Sequence, residues 1–302
     1  MQQTLLKLLE SLQTQLDTLP DKSEESAELT LRALWLCAQG NPVSALRAAQ
    51  TDLQDLTESQ HAHLQVLIAQ RVSGIPLAHL SERQSFMGLE LRSTPDALIP
   101  RRETEILGQL ALKCLREAAV PQPLVVDICT GSGNIALAMA SHYSEAQVYG
   151  SDLSEKAVTL AIDNSQRLAL AERVQFRCGD LLEPFREPVF LNNVDLLICN
   201  PPYILASNVK KMAKEIAEHE PEMAFDGGPL GIAIIERTVR DAVAFLKPGA
   251  WLCLEVGAGQ GPFVEKRIVK SGLYHQVETA TDEQGVIRAL RCRKSSEQMQ
   301  NG

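Results

Sequence analysis

Apolar residues recur at helical spacing through the first 83 residues of this chain. Leucines recur at helical spacing over residues 5–16, and residues 29–36 hold a second apolar cluster of four leucines. A third stripe, Leu64, Leu67 and Ile68, has residues three and four positions apart. That spacing puts apolar side chains on one face of a helix. Gly74-Ile75-Pro76 breaks the pattern where a helix would end. The sequence therefore predicts a small all-α N-terminal domain of four or five helices over residues 1–83.

Strand signals begin after this helical region. Residues 84–98 predict a β-hairpin linker, because apolar positions there are followed by a Ser-Thr-Pro-Asp turn cluster. From residue 99 to residue 294, short apolar runs alternate with helical patterns, which is typical of an α/β fold with a mostly parallel sheet. A Pro-Gly turn precedes a predicted strand at 251–256, and residues 286–292 predict an antiparallel strand at the sheet edge. We expect the polar tail, residues 295–302, to be mobile.

Four apolar runs in the α/β region each have a polar residue near or just after their end. The run 124–129 contains Asp127 near its end, and Asp152, Asp180 and Asn200 follow the runs 147–150, 174–178 and 194–199. Parallel strands place their carboxyl ends at one edge of a sheet, where ligands of open α/β folds bind. The four polar residues are therefore predicted to line one site.

A glycine loop, Thr130-Gly131-Ser132-Gly133, follows the first run and precedes a helical pattern. Gly131-x-Gly133-x-x-Ala136 formally fits the dinucleotide fingerprint, so a nicotinamide or flavin dehydrogenase is one interpretation. Asp127 argues against it, because its carboxylate would repel a pyrophosphate. That carboxylate suits a ligand with a positive amino or sulfonium group, such as S-adenosylmethionine. Asp127 could also cap N–H groups of the loop, and the two roles can coexist.

Asp152 and Asp180 extend the same pattern along the chain. Asp152 lies 21 residues after Gly131, near the spacing expected for a carboxylate that binds ribose hydroxyls. Asp180 is placed to accept a hydrogen bond from an adenine amino group, with Leu181 as an apolar wall. An ordinary turn aspartate is the alternative for Asp180.

Asn200-Pro201-Pro202-Tyr203 follows the last run. The prolines cannot extend the strand or donate a backbone N–H, so they leave a rigid turn with outward carbonyl groups. Asn200 adds an amide and Tyr203 a flat ring with a polar tip. The turn predicts a socket for a planar group with N–H donors, either a carboxamide or an exocyclic amine, although a proline-stiffened turn with a capping asparagine would have the same sequence.

Charge and cysteine content limit the classes of partner. The formal net charge is −9, and the first 83 residues hold six Lys or Arg against ten Asp or Glu. Without a basic run, direct binding to duplex DNA is not expected. None of the seven cysteines forms a Cys-x-x-Cys pair, and Cys129, Cys199 and Cys253 lie in or beside apolar runs, so a reduced cytosolic chain without a metal site is predicted. No signal peptide or membrane-length apolar run is evident.

Several further segments, together with these motifs, resemble the HemK-type protein-(glutamine N5) methyltransferases. The segments are Arg71 to Leu80, Phe86 to Leu91, Leu98 to Leu107, Glu220-Pro221, Phe225 to Gly228, Leu254 to Gly257, and Gln260. Asn-Pro-Pro-Tyr alone is shared with adenine methyltransferases of DNA, whereas Ile-Pro-Arg-x-Glu-Thr-Glu is more specific to this family. The resemblance implies a Rossmann-like class I methyltransferase domain over residues 99–294 that uses S-adenosylmethionine.

The resemblance also implies roles for individual residues. The expected cofactor-binding residues are Asp127, Cys129, Thr130, Gly131, Ser132, Gly133, Asp152, Asp180, Leu181 and Asn200. Asn200, Pro201, Pro202 and Tyr203 are expected to hold the substrate amide and to be catalytic. Four positions depart from the common family pattern: Cys129 replaces a frequent Gly, Arg102 a Pro, Leu181 an aromatic residue, and Pro229-Leu230 a more acidic pair.

The expected activity is methylation of a glutamine side chain in another protein. The family resemblance points to the Gly-Gly-Gln glutamine of peptide chain release factors, with residues 1–83 recognising the release factor. Another protein glutamine, for example on a ribosomal protein, is an alternative. An adenine amino group in nucleic acid is a second alternative, and a non-catalytic binding paralogue is a third.

Overall fold

The structure is a computed structural model that describes residues 2–16, 24–203, 219–225 and 232–296. The chain divides into two compact units, Met1–Arg102 with Met212–Pro221, and Glu103–Lys211 with Glu222–Gly302. Two predictions lie outside the described residues. They concern the departure at Pro229-Leu230 and the tail beyond residue 296.

Helices dominate the first unit. Its described residues form α1 (Gln2–Gln15), α2 (Ala27–Ala38), α3 (Ala45–Ala48), α4 (Glu58–Val72) and α5 (Leu77–Ser81). Thr57 and Gln60 form a reciprocal capping box at the start of α4, which satisfies N–H groups that the helix leaves free. Trp35 is fully buried in the core, and its indole N–H donates to the Gln54 carbonyl at 2.8 Å. The N-terminal helical region predicted from leucine spacing is confirmed.

A two-stranded hairpin follows these helices, with β1 (Arg83–Phe86) antiparallel to β2 (Leu89–Arg92). Arg101 and Glu220, which belong to two of the family-like segments, form a buried ion pair in this unit. Glu220 Oε2 also accepts a hydrogen bond from the Ile99 backbone N–H at 3.0 Å. A charge buried without a partner costs several kcal/mol, so this pairing holds residues 99–101 and 220 together.

The second unit is an α/β layer built on a seven-stranded sheet in its described residues. Its helices are α6 (Thr104–Ala118), α7 (Asn134–His142), α8 (Glu155–Arg167), α9 (Ala233–Asp241) and α10 (Gly261–Ser271). Its strands are β3 (Leu124–Ile128), β4 (Gln147–Asp152), β5 (Val174–Cys178), β6 (Val194–Cys199), β7 (Leu246–Glu255), β8 (Tyr274–Thr281) and β9 (Ile287–Lys294). The spatial order is β5-β4-β3-β6-β7-β9-β8, which confirms the predicted mostly parallel class I fold with an antiparallel edge.

Two details of the sheet differ from the sequence prediction. The strand predicted at 286–292 forms as β9 and is antiparallel, but the outermost strand is β8, so the predicted edge position was wrong. The sequence did not predict β8, because most of its residues are polar and at least partly exposed. Strand β7 begins at Leu246 rather than 251, because Pro248-Gly249 lies inside it where the pairing register with β6 shifts.

The order of the strands determines where the site lies. Strand β3 pairs with β4 on one side and with β6 on the other, and Ile128 is level with Ser151 and Cys199. All three strands run parallel, so the segments that follow them leave the sheet at one edge. The glycine loop, Asp152 and Asn200 are thereby brought to the same edge, as their positions at strand ends predicted.

Candidate active site

Asp127 lies at the carboxyl end of β3 and is completely buried. Its Oδ2 accepts hydrogen bonds from the Thr130 hydroxyl at 2.6 Å and from the Ala136 backbone N–H in the first turn of α7 at 3.2 Å. Its Oδ1 has no hydrogen-bond partner among the described residues. The side chain therefore caps the loop through one oxygen and leaves the other as an acceptor.

Burial raises the pKa of Asp127 from an ordinary value of 3.8 to about 7. The bonds from Thr130 and Ala136 oppose that rise, because both stabilise the carboxylate, whereas the nearby charge of Asp152 adds to it. A buried carboxylate with an unsatisfied oxygen is suited to bind a cationic ligand group, because the cation would restore the solvation that burial removed.

The glycine loop is shaped by positive backbone φ angles. Cys129 has φ +57°, Gly131 +54° and Gly133 +81°. A Cβ on Gly133 would lie 2.8 Å from Cζ of Phe176, a β5 residue that packs beneath the loop. Glycine adopts the left-handed φ of Cys129 without strain, which agrees with the glycine that the family resemblance leads one to expect there. Sequence reasoning gave Phe176 no role, because its contact with the loop depends on the pairing of β4 with β5.

Asp152 lies at the end of β4, where its carboxylate joins two segments. Oδ2 accepts from the Gly131 backbone N–H at 2.9 Å, and Oδ1 accepts from the Ser154 N–H at the start of α8, also at 2.9 Å. Burial raises its pKa, and these backbone bonds lower it. A carboxylate offers about four lone-pair sites, so acceptor capacity remains for a pair of hydroxyls.

We expect Asp152→Ala to weaken S-adenosylmethionine binding by about 1–3 kcal/mol, the usual cost of losing hydrogen bonds to a charged acceptor. The expected loss combines the predicted contacts to the ribose with the release of the Gly131 N–H. Calorimetric titration measures the change, and thermal unfolding without ligand controls for damage to the fold. NADH is the matched negative ligand. Unchanged S-adenosylmethionine affinity in this variant would remove Asp152 from the cofactor site.

Asp180 and Leu181 follow β5. Asp180 Oδ2 forms a 2.7 Å ion pair with Nη1 of Arg237 on α9, and the Asp180 side chain is half exposed. Leu181 is buried with φ +50°, and its carbonyl accepts from the Ser151 hydroxyl at 2.7 Å. Arg237 was not identified from the sequence, since 57 residues separate the two partners. The predicted contacts of Asp180 and Leu181 with adenine stay a prediction.

Asn200 and Tyr203 are held by residues outside the Asn-Pro-Pro-Tyr motif. Asn200 Nδ2 donates to the hydroxyl of Thr104, the first residue of α6, at 3.3 Å. The Tyr203 hydroxyl donates to Glu255 Oε1, at the end of β7, at 3.2 Å. Gln260 Nε2 donates to the Tyr203 carbonyl at 2.9 Å. Both ends of the motif are therefore fixed by side chains.

Thr104, Glu255 and Gln260 belong to segments that resemble the methyltransferase family, but the sequence gave them no individual roles. Gln260 Oε1 also accepts from the Gly257 N–H at 2.9 Å. A Cβ on Gly257 would lie 2.8 Å from Cδ2 of Tyr203, so glycine there permits the ring to approach the end of β7. Glu255 could have been predicted as a site residue, because it is a polar residue at the end of a buried strand, as are Asp127 and Asn200 at or just after theirs.

Glu255 is almost completely buried, and burial raises its pKa to about 7. Glu103 raises it further, whereas hydrogen bonds from Thr104 and Tyr203 and the charge of Arg288 lower it. The pKa of Tyr203 is raised well above its ordinary value, first by burial and then by Glu255 and Glu103. Tyr203 is therefore a neutral donor at physiological pH.

The residues at this edge fit S-adenosylmethionine. Asp127 Oδ1 is a buried acceptor suited to a positive group of that ligand, either the amino group or the sulfonium, and Asp152 has acceptor capacity for the ribose hydroxyls. Gly131 leaves open space where a side chain would stand. The described residues hold no group of three or more His, Cys, Asp or Glu that could bind a metal ion. None of the helices in the described part combines the length and apolar character needed to cross a bilayer.

Residues 101–247 match the family model of the methyltransferase small domain. The fold is similar to the hMettl16 catalytic domain solved in complex with MAT2A 3′UTR hairpin 6, with a TM-score of 0.55 at 13% identity over 76% of this chain and 83% of that one. This low identity supports similarity of fold alone. The match nevertheless agrees with the class I architecture described above.

Relatives that match over most of their length identify the family of this chain. A release factor glutamine methyltransferase from Bradyrhizobium diazoefficiens is 34% identical over 89% of this chain and 89% of its own length. A protein of the same name from Geobacter sulfurreducens is 34% identical over 90% of this chain and 91% of its own. These matches confirm the predicted resemblance. They also confirm that this chain is an enzyme and that it uses S-adenosylmethionine. The chain belongs to the release factor glutamine methyltransferase family.

Proposed function

We propose that this enzyme methylates the side-chain nitrogen of the glutamine in the Gly-Gly-Gln segment of a peptide chain release factor. The observation that supports this most directly is the orientation of Asn200, whose nitrogen donates to Thr104 and whose oxygen accepts from no described residue, so that it can receive an amide N–H. Asn200 follows β6, next to the β3 loop proposed to hold the cofactor. The names of the relatives supply the class of protein substrate.

The chemistry requires activation of a weak nucleophile. The lone pair of an amide nitrogen is delocalised into its carbonyl group, so it attacks poorly. Asn200 Oδ1 and the Pro201 carbonyl are proposed to accept the two N–H groups of the glutamine, which favours a pyramidal nitrogen. Bound S-adenosylmethionine supplies an electrophilic methyl group on a sulfonium. The N–C bond forms as the C–S bond breaks, and the surplus amide proton passes to water.

Positioning would account for much of the rate. Well-oriented reactants can gain roughly 7–11 kcal/mol relative to free encounter in solution. Pro201 and Pro202 fix the turn, and the Tyr203 ring is proposed to pack on the plane of the substrate amide. The contacts of Tyr203 with Glu255 and Gln260 fix the position of that ring before substrate arrives.

Mass spectrometry of a purified release factor tests this function. Incubation with the enzyme and S-adenosylmethionine should add one methyl group to the Gly-Gly-Gln peptide, and glutamine-to-asparagine substitution in that peptide should abolish the gain. Ribosomal proteins and adenine-containing DNA and RNA oligonucleotides serve as competing substrates. Methylation of an oligonucleotide with no change in the release factor would contradict the glutamine assignment. Methylation of another protein glutamine alone would contradict the release factor assignment.

The helical region, residues 1–83, is proposed to recognise the protein substrate. Its charge is net negative and none of the cofactor residues lies in it. We infer that the enzyme meets release factors in the cytoplasm, where translation ends.

We expect a chain truncated to begin at Ser85 to retain S-adenosylmethionine binding and to lose most methylation of an intact release factor. The reason is that the proposed cofactor residues all lie after residue 126, whereas recognition of the folded substrate is assigned to the missing helices. Calorimetry with S-adenosylmethionine reports whether the shortened chain is folded. A short Gly-Gly-Gln peptide is the control substrate and should be modified weakly by both forms. Equal rates on the intact release factor would exclude a role for residues 1–83.

A further inference from the structure

A chain of hydrogen bonds joins the two ends of the Asn-Pro-Pro-Tyr motif through Glu255. Asn200 Nδ2 donates to Thr104 Oγ1, and the Thr104 side chain is hydrogen-bonded in turn to Glu255. The Tyr203 hydroxyl donates to Oε1 of the same carboxylate. Thr104 and Glu255 are both buried, with 2% exposure each. Two hydrogen-bond paths therefore meet at the Glu255 carboxylate, one from Asn200 through Thr104 and one directly from Tyr203.

The protonation of Glu255 fixes the direction of these bonds. An ionised carboxylate can only accept hydrogen bonds. Thr104, which has a single hydroxyl proton, must therefore donate it to Glu255. The Thr104 oxygen can then act only as an acceptor toward Asn200, which must turn its NH₂ group to Thr104. The Asn200 oxygen is consequently directed away from Thr104, where it can accept from a substrate amide.

We propose that Glu255, acting through Thr104, is a positioning residue that sets the orientation of the Asn200 amide for the incoming glutamine. Its bond to Tyr203 fixes the ring at the other end of the same socket. This inference rests on the proposed glutamine methylation, and it adds two positioning residues, Thr104 on α6 and Glu255 on β7, that act through Asn200 and Tyr203.

The groups that face Glu255 define a pH dependence. They are Glu103 and Thr104 at the start of α6, Tyr203 after β6, and Arg288 on β9, which is itself paired with Asp282. The pKa of Glu255 is about 7, so the carboxylate is formed above that value and lost below it. A protonated Glu255 can donate to Thr104, which frees the Thr104 hydroxyl to donate to Asn200 and permits the opposite orientation of the amide.

Three variants test this directional chain. With saturating S-adenosylmethionine, Glu255→Gln and Thr104→Val should each lower kcat on the release factor by about tenfold or more, the cost of a misdirected or missing hydrogen bond. Thr104→Ser retains a hydroxyl and should recover most of the lost rate. The affinity for S-adenosylmethionine should stay within a few-fold in all three, and thermal unfolding verifies that each variant is folded.

The pH profile separates positioning from packing. Wild-type kcat should fall as the pH drops through about 7, and this acidic limb should disappear in Glu255→Gln, which has no group to titrate at that position. Full wild-type kcat in both Glu255→Gln and Thr104→Val would overturn the proposal. So would an unaltered acidic limb in Glu255→Gln.

A measurement without substrate distinguishes this proposal from the proposed function. In protein labelled with ¹⁵N-asparagine, the Asn200 side-chain signal is identified by its absence in Asn200→Ala. Its NH₂ protons should exchange slowly in the wild type and in Thr104→Ser, and faster in Thr104→Val and Glu255→Gln. Equal exchange in all four proteins would overturn the positioning role. Failure of the wild type to modify a release factor would instead reject the proposed function and leave this comparison valid.

Discussion

Replacing Asn200 by alanine should lower kcat on a release factor by roughly 100- to 1,000-fold, the range seen when one preorganised hydrogen-bonding group is removed from a transition state. The substituted side chain loses the oxygen proposed to accept from the substrate amide and to favour its pyramidal form. Because the interaction strengthens as the nitrogen reacts, its loss should appear in kcat rather than in cofactor affinity. The affinity for S-adenosylmethionine should change by no more than a few-fold.

Steady-state methyl transfer and calorimetric titration measure the two quantities separately. Asn193→Ala is a matched control at the opposite end of β6, because Asn193 is exposed and its Nδ2 donates to the Val189 carbonyl at 2.9 Å. That variant should keep wild-type turnover. If Asn200→Ala also turns over at the wild-type rate, Asn200 has no part in the mechanism.

The edge of the sheet that bears the site could be predicted from the sequence because strand signals are local. Apolar runs separated by helical patterns indicate parallel strands, and parallel strands bring their carboxyl ends together. Asp127, Asp152 and Asn200 could therefore be placed at one edge before any contact was known. The roles assigned to them stay predictions, since their positions agree with those roles but do not test them.

The partners of these residues could not be predicted, because they come from distant parts of the chain. Arg237 reaches Asp180 only because α9 packs where it does, and Glu255 reaches Tyr203 only because β7 lies beside β6. A polar strand such as β8 also gives little periodic signal. The motifs thus predict where the chemistry occurs, whereas tertiary packing decides which hydrogen-bond partners each group has.

Replacing Asp127 by asparagine should make the ligand-free protein more stable at pH 8 and weaken its binding of S-adenosylmethionine. The folded-state pKa of Asp127 is about 7, above its ordinary value of 3.8. Folding therefore favours the protonated form, and the stability linked to Asp127 is lost as the pH rises from about 4 through about 7. Each pKa unit corresponds to about 1.4 kcal/mol, so the gain in unfolding free energy should reach about 2–4 kcal/mol at pH 8.

The asparagine keeps the oxygen that accepts from Thr130 and Ala136, and it replaces the unpartnered oxygen by a neutral NH₂ group. The same change removes the anionic acceptor proposed for the amino group of S-adenosylmethionine. Hydrogen bonds to charged groups contribute about 1.5–3 kcal/mol, so affinity should fall by about 10- to 100-fold.

Urea unfolding at pH 5 and pH 8 measures the stability change, and calorimetry measures the affinity. Asp195→Asn is the matched control, because Asp195 is also buried on a central strand but accepts from the Leu124 N–H at 2.9 Å and from Lys247 Nζ at 2.7 Å. With both oxygens partnered, its substitution should destabilise the protein and leave the affinity for S-adenosylmethionine unchanged. An Asp127→Asn protein that binds as tightly as the wild type would show that this carboxylate caps the loop and does not contact the cofactor. If Asp127→Asn is instead less stable than the wild type at pH 8, the ionised Asp127 carboxylate is better solvated than its burial indicates.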